Sequence, residues 1–159
     1  MGFALNFMRV GPDAVVDADR AALQAWLRGR GLEVEPGAGS GRHLRGSTGP
    51  LAFGDDVSDL HLDPLDQQDP VTGGLWHATL SPGECEFVYD LCVAGRMLVV
   101  NPQGAPLFVV PGRTHDRADL PESVTDDDIA WVGSGEELRD ALTGGFDRFR
   151  AFRDDITAD

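Results

Sequence analysis

The chain reads SPGECEFVYDLCVAGRMLVVNPQGAPLFVV from Ser81 to Val110, and this stretch decides its fold class. Ser81 is followed by the residues of a helix N-terminus, because proline suits the first turn and Glu84 stands three residues on, as in a capping box. Gly95 lies where such a helix would end, since glycine readily adopts the left-handed conformation that closes a helix. The stretch therefore predicts a helix from Ser81 to Gly95.

Two apolar runs follow this predicted helix, at 97–100 and 107–110. The residues between them, NPQGAP, include two prolines and a glycine, which is typical of a turn between adjacent strands. Both runs are apolar on each face, whereas a strand with one face in water would alternate. The pattern predicts a hairpin in the middle of a sheet, with a helix packed against it.

Outward from this stretch, strand and helix signals recur along the chain. Residues 3–7 alternate with the period of two that is typical of a strand, and further short strands are predicted at 75–80 and 129–132. Asp17 can cap an early helix. A last helix opens at Ser134 and keeps apolar positions at spacings of three and four into the C-terminal residues.

This order of elements predicts a single domain of the α+β class. We expect one globular domain over residues 1–159, because no linker separates two apolar cores and no internal repeat is present. Its sheet is expected to be mixed or antiparallel, with about five or six strands and two or three helices packed on it. Two loops interrupt the pattern, a Gly-rich loop at 36–50 and an acidic loop at 111–128.

The Gly-rich loop has the outline of a phosphate-binding loop, but the lysine that would precede Ser47 is absent. Pro50 follows where such a loop should run into a helix. Arg42 and Arg45 can still contact an anion, or they can balance nearby aspartates on a solvated loop. A ligand-binding or regulatory domain that uses this loop therefore stays open.

The composition argues against disorder and against a membrane span. Hydrophobic residues make up 42% of the chain, and no run approaches the roughly 18 apolar residues that crossing a bilayer requires. The N-terminus lacks the basic lead of a signal peptide, so we expect a cytoplasmic protein. Cys85 and Cys92 lie seven residues apart on the predicted helix, roughly 10 Å and too far for a disulfide, so we expect two buried thiols.

An excess of acidic residues is the most unusual property of the chain. There are 27 acidic and 13 basic residues, all of the latter arginine, for a net charge of −14. The first 50 residues are nearly balanced, whereas residues 51–100 hold nine acidic residues and one arginine. A surface this negative disfavours nucleic acid and anionic membranes, and it favours a basic protein partner. The candidate partner-binding residues are Asp55, Asp56, Asp59, Asp63, Asp66, Asp69, Asp126, Asp127 and Asp128.

Motifs for catalysis and metal binding are weak. The aspartate run at 55–60 lacks the glycine and the glutamate of an EF-type calcium loop. His61, Asp63 and His77 form an alternative metal site, since imidazole and carboxylate ligands suit zinc or iron. The chain has no Gly-x-Ser-x-Gly elbow, and its four histidines are scattered. We therefore expect no cofactor, lean against an enzyme, and leave catalytic residues unassigned.

Two functional hypotheses of different classes follow. The first is a small acidic interaction protein of the immunity or antitoxin type, which binds a basic partner through an acidic face. The second is a small metal-assisted hydrolase, and a ligand-binding domain is a further alternative. The same acidity also suits a protein that is merely very soluble or tolerant of salt. The observation that would best separate these hypotheses is whether the acidic residues at 55–69 and 116–128 lie on one face of the protein or are scattered over its surface.

Overall fold

The computed structural model of the chain describes residues 3–34, 42–46, 49–103 and 106–143. Part of the predicted Gly-rich loop and the C-terminal part of the predicted last helix lie outside these ranges. Three helices pack with a mixed, mostly antiparallel sheet, so the predicted α+β class is confirmed. None of the helices within the described ranges is long and apolar enough to cross a membrane.

The helices are α1 (Arg20–Gly29), α2 (Pro82–Gly95) and α3, which is described from 135 to 143. The strands are β1 (Phe3–Val10), β2 (Val15–Val16), β3 (Glu33–Val34), β4 (Arg42–Gly46), β5 (Gly49–Pro50), β6 (Ala52–Phe53), β7 (Asp56–Val57), β8 (His61–Leu62), β9 (Gly73–Ala78), β10 (Leu98–Val100), β11 (Phe108–Pro111) and β12 (Ile129–Val132). Two short 3-10 helices, Arg117–Asp119 and Asp126–Asp128, lie between β11 and β12.

Ten of the strands form one sheet in the order β12-β11-β10-β1-β9-β8-β4-β3, with β2 paired to β1 and β5 paired to β4. The β11–β12 pair is parallel, and the other pairs are antiparallel. The sequence favours short strands at 32–34 and 59–63, which contain β3 and β8. The sheet has more strands than predicted because β2 and β5 are only two residues long and β4 lies in the Gly-rich stretch. Two residues are too few to leave an alternating pattern in the sequence.

The predicted hairpin is formed by β10 and β11. Val99 pairs with Val109, and the amide of Asn101 donates to the carbonyl of Leu107 at 2.7 Å to close the turn. β10 also pairs with the long strand β1, so the hairpin lies inside the sheet. Both valines are fully buried in the core that α2 shares, while Leu98 and Val110 are buried in a second core on the opposite face, which explains why the runs are apolar on both faces.

The inner face of the sheet packs against the helices and holds the main core. Phe7 and Leu75 from the central strands meet Leu23 of α1, Leu91 of α2 and Leu138 of α3, all of them buried. Burial of side chains of this size stabilises the folded state by about 1.5–3 kcal/mol each relative to exposure. This core sets the register of the sheet, because a slip of one residue would turn these side chains toward solvent.

The outer face is covered over only one half. A second core lies over β10, β11 and β12, where Leu120, from the segment between β11 and β12, covers the strands; its members are Leu98, Phe108, Val110, Leu120 and Ile129. Over β9, β8 and β4 the outward positions are Trp76, His61 and His43, which are exposed or half-buried. Within the described residues, this half of the face is open.

The stretch 36–50 differs from the predicted loop, because it contains β4 and β5. Leu44 of β4 is buried in the main core, while Arg45 on the opposite face is exposed. One buried leucine anchors the strand, and its glycine-rich surroundings concealed it, since glycine normally marks a turn. The predicted acidic loop at 111–128 follows β11 and contains the two 3-10 helices.

Candidate functional site

The first acidic cluster comprises the six candidate aspartates between 55 and 69. Asp55 and Asp56 lie at the exposed tip of the β6–β7 hairpin, where Gly54 has a φ of +66°. Asp66 and Asp69 are also exposed. These four carboxylates are accessible to a partner.

Asp59, of the same cluster, is half-buried and binds β9. Its Oδ1 accepts hydrogen bonds from the amides of Trp76 and His77 at 3.2 and 3.3 Å. Its Oδ2 lies 2.6 Å from Nδ1 of His77, whose side chain is 75% exposed. Asp59 thus holds the segment before β8 against the outer end of β9.

Asp63, the remaining member of the cluster, closes the turn between β8 and β9. Its Oδ2 accepts from the amide and hydroxyl of Thr72 at 2.9 and 3.0 Å and from Nε2 of Gln67 at 3.2 Å. The predicted metal trio of His61, Asp63 and His77 is therefore not brought together around one point. Within the described residues, no group of three or more His, Cys, Asp or Glu side chains is arranged to hold a metal ion.

The second acidic cluster, Asp126, Asp127 and Asp128, forms the 3-10 helix directly before β12. Nε of Arg117 donates to Oδ1 of Asp126 at 2.9 Å, although the Asp126 side chain stays 88% exposed. Asp127 is exposed, and half-buried Asp128 accepts from the hydroxyl of Thr125 at 3.2 Å. An exposed pair of this kind contributes little stability, so the charge of Asp126 remains available to a partner.

The two acidic clusters lie at different places on the sheet. The second cluster precedes β12, the first strand in the sheet order, whereas the first cluster flanks β8, the sixth. At about 4.8 Å per strand, five spacings separate them by roughly 24 Å. The nine aspartates therefore form two separate clusters and not one face.

Each acidic cluster has an exposed tryptophan beside it, which the sequence analysis did not single out. Trp76 and Trp131 are 50% and 49% exposed. The amide of Trp76 donates a hydrogen bond to Asp59, and its ring stacks on that of His61, with ring centroids 4.3 Å apart. Trp131 lies on β12, three residues after Asp128. The alternation of residues along β9 and β12 could have revealed both tryptophans, because each occupies a position on the sheet face away from the helices.

His115 is the one buried histidine among the described residues, and its surroundings are structural. Its Nε2 accepts a hydrogen bond from the amide of Val10 at 3.1 Å, and its Nδ1 lies 2.9 Å from the hydroxyl of Thr114. Burial lowers the pKa of His115, Asp119 opposes that shift and Arg9 adds to it. The ring therefore holds the segment after β11 against β1, with both of its nitrogens already engaged.

The two cysteines are free and buried on α2, as predicted. Burial, with the nearby charge of Glu84, raises the pKa of Cys85 to about 12, although Arg139 opposes the shift. Burial also raises the pKa of Cys92. A nucleophilic cysteine needs an accessible thiolate, so both side chains are core residues.

Two surface grooves are lined by described residues. One of about 620 Å³ runs between α2 and the start of α3, and its lining includes Tyr89, Ser134 and Arg139. The other, of about 730 Å³, is lined by Pro12, Arg117, Ala118, Leu120, Glu122 and Asp126. Neither groove is lined by residues of the 36–50 stretch, where the sequence left a ligand site open.

Comparison of the chain with protein families, with curated proteins and with solved structures gives no match. Any functional conclusion therefore rests on the surfaces described above.

Proposed function

We propose that this chain is an interaction protein that binds a basic protein partner, in the manner of an immunity protein or an antitoxin. The observation that carries the proposal is the exposure of most of the nine candidate aspartates, and the scarcity of ion pairs that they form with arginine among the described residues. Among the described residues, Asp126 is the member of this set whose carboxylate forms an ion pair with an arginine; Arg20 contacts Asp69 as well, but through its backbone carbonyl at 2.9 Å. Five of the others, Asp55, Asp56, Asp66, Asp69 and Asp127, are exposed.

Carboxylates that are exposed, and that form no ion pair with an arginine in the part of the chain described, suit electrostatic recognition. They need not break an internal ion pair before they meet a cation, so less of the binding energy is lost. A net charge of −14 also steers a basic partner toward the surface and accelerates association at low salt. Trp131, which is exposed beside the second acidic cluster, supplies an aromatic anchor of the kind that binding interfaces favour.

The chemistry of the remaining candidate residues supports binding over catalysis. Both thiols are buried with raised pKa values, and His115 already accepts a backbone hydrogen bond. Asp63 is engaged by Thr72 and Gln67. Free thiols suit a reducing compartment, so we place the interaction in the cytoplasm.

Affinity capture at two salt concentrations tests the proposal. The protein is immobilised, and extracts of its source cells are passed over it at about 50 mM and about 500 mM salt. We expect one or a few basic proteins at the lower concentration, with recovery reduced by about tenfold or more at the higher. Absence of a basic protein, or capture that ignores ionic strength, would contradict the proposal.

Charge-neutralised variants make this test specific. In the first variant the five exposed aspartates Asp55, Asp56, Asp66, Asp69 and Asp127 are changed to asparagine. The control loses three exposed acidic residues elsewhere, at Asp13, Glu33 and Glu86. For each charge removed, capture should fall strongly in the first variant and much less in the control. An equal fall per charge in both would mean that net charge alone, and not these surfaces, governs binding.

A further inference from the structure

Strand β12 ends the ten-stranded sheet. It pairs with β11 on one side, and no second neighbour is present among the described residues. An edge strand exposes unpaired backbone N–H and C=O groups, which a further strand can bind.

The residues of β12 leave this edge unprotected. Edge strands are usually guarded by lysine, by proline or by inward charges, whereas β12 reads Ile129-Ala130-Trp131-Val132 and has none of these. Ile129 and Val132 are buried and fix the strand, while Trp131 is 49% exposed. The strand is therefore firmly held on the sheet and presents one large aromatic side chain beside its free edge.

The surroundings of this edge are strongly acidic. The second acidic cluster, Asp126 to Asp128, comes directly before β12, and Glu136, Glu137 and Asp140 follow in α3. Between 111 and 143 the chain has nine acidic residues and three arginines. A strand that binds here therefore gains from positive charge. A second copy of the chain is disfavoured as the occupant, because it carries the same charge of −14.

We propose that the free edge of β12 is a β-augmentation site for an extended basic segment of the partner, with Trp131 as its anchor. Backbone hydrogen bonds to β12 provide affinity, and alternate side chains of the added strand reach the outer face. An arginine there can stack on the Trp131 ring while the aspartates neutralise its charge. This inference rests on the proposed function and assigns it to one of the two acidic clusters.

Two synthetic peptides separate strand addition from simple charge attraction. The first alternates arginine and valine. The second has the same sequence but is N-methylated at every residue, so it keeps its charge and lacks amide donors. We expect the first peptide to change the tryptophan fluorescence and to slow hydrogen exchange of the β12 amides. The methylated peptide should bind at least about tenfold more weakly, because it cannot donate to the edge.

Substitution of the two exposed tryptophans locates the site. Trp131→Ala should weaken binding of the first peptide by about tenfold, and Trp76→Ala is the matched control, expected to bind as the unchanged protein does. Circular dichroism checks that both variants are folded. Equal binding of the two peptides, or an equal loss in both variants, would overturn the edge site and leave the charge-based function standing. Failure of both peptides to bind at low salt would contradict the inference and the proposed function together.

Discussion

Gly74 lies at the centre of the sheet, where β9 meets β1 and β8. A Cβ at this position would lie 2.7 Å from the carbonyl oxygen of Leu5 and 3.3 Å from Oδ1 of Asn6. The first neighbour is backbone and cannot move away, so Gly74→Ala should lower the free energy of unfolding by about 1–3 kcal/mol. Urea unfolding measures the change. Gly29→Ala is the control, because nothing lies within 4 Å of its Cβ; equal losses in both variants would contradict this reading.

His115 should make the stability depend on pH. Its pKa in the folded protein lies below the value of about 6.5 in the unfolded chain, so the unfolded chain takes up the proton first. The free energy of unfolding therefore decreases as pH falls below about 6.5, by at most about 1.4 kcal/mol per pH unit from this residue. Protonation also removes the acceptor that binds the Val10 amide.

Urea unfolding between about pH 7.5 and about pH 5 measures this dependence. The comparison is between the unchanged protein and His115→Gln, because carboxyl groups contribute to the slope in both. His115→Gln should flatten the curve. A slope that is the same with and without His115 would refute the assignment.

Asp17 shows why individual residue roles are hard to predict. The sequence predicts Asp17 as the cap of α1, but the side chain that accepts from the Ala22 amide belongs to Asp19, at 3.1 Å. Asp17 instead accepts from the Val71 amide at 3.1 Å and from Nε of Arg20 at 2.8 Å. The Val71 hydrogen bond is the main reason that the pKa of Asp17 is lowered. Two aspartates of equal capping ability precede the helix, and a distant loop decides between them.

At the level of elements, the turn from β9 into α2 depends on a buried carboxyl group. Oε1 of Glu84 accepts from the amides of Thr79 and Leu80 at 2.9 and 3.1 Å, and Oε2 accepts from the Thr79 hydroxyl. Leu80 has a φ of +57°, which is unfavourable for a bulky residue. Nε of Arg139, from α3, donates to the Leu80 carbonyl at 2.7 Å. The capping box predicted at Ser81 is therefore only half formed. The Ser81 hydroxyl accepts from the Glu84 amide at 3.2 Å, but the Glu84 carboxylate binds the two amides before Ser81 and not that of Ser81 itself.

Removal of this carboxyl group should destabilise the protein. Glu84→Ala leaves two amides without partners, and we expect the free energy of unfolding to fall by about 2–3 kcal/mol. Glu84→Gln keeps an acceptor oxygen and should lose less. Exposed Glu86, on the same helix, is the matched control, with an expected change within about 0.5 kcal/mol for Glu86→Ala. Chemical unfolding measures the free energy of unfolding of the three variants. Similar losses of stability for Glu84→Ala and Glu86→Ala would contradict this role of Glu84 in the turn.

The elements that could be predicted are those with local signals. Helix α2 has its predicted cap and proline, and the β10–β11 hairpin has two apolar runs around a turn. The helix also ends at Gly95 as predicted, but the left-handed residue that closes it is Arg96, with a φ of +55°. Strand β4, which lies in the predicted Gly-rich loop, depends instead on a partner far away in the chain, as the pairing of His43 with His61 shows. The same limit applies to the site. Aspartate exposure follows from composition, but the separation of the two clusters follows from strand order.

On the scale of the whole molecule, that separation changes how the acidity is interpreted. One continuous acidic face would concentrate the field on one partner, whereas two clusters about 24 Å apart lie beyond a Debye length of each other at physiological salt. Each cluster therefore acts on its own surroundings. The surface beside β12 combines charge with a free edge and an exposed tryptophan, while the surface around Asp59 has an aromatic stack on an open sheet face.

The charge of the whole molecule also has a cost in stability, which salt should relieve. A net charge of −14 repels itself, and raising NaCl from about 10 mM to about 300 mM shortens the Debye length from about 30 Å to below 10 Å. The few exposed ion pairs, such as Arg30–Asp90, weaken in salt but contribute little. We therefore expect Tm to rise by several degrees, on the order of 2–4 °C for each kcal/mol of repulsion removed.

Calorimetry over a series of NaCl concentrations measures this rise. The variant with asparagine at the five exposed aspartates of the proposed interface has a smaller net charge, so its Tm should start higher in low salt and rise less. The variant neutralised at Asp13, Glu33 and Glu86 should show the same effect for each charge removed, because screening of net charge does not depend on position. Capture of a basic partner, in contrast, should separate these two variants. If both properties followed net charge alone, the acidity would be a solubility property of the surface and the two acidic clusters would have no special part in binding.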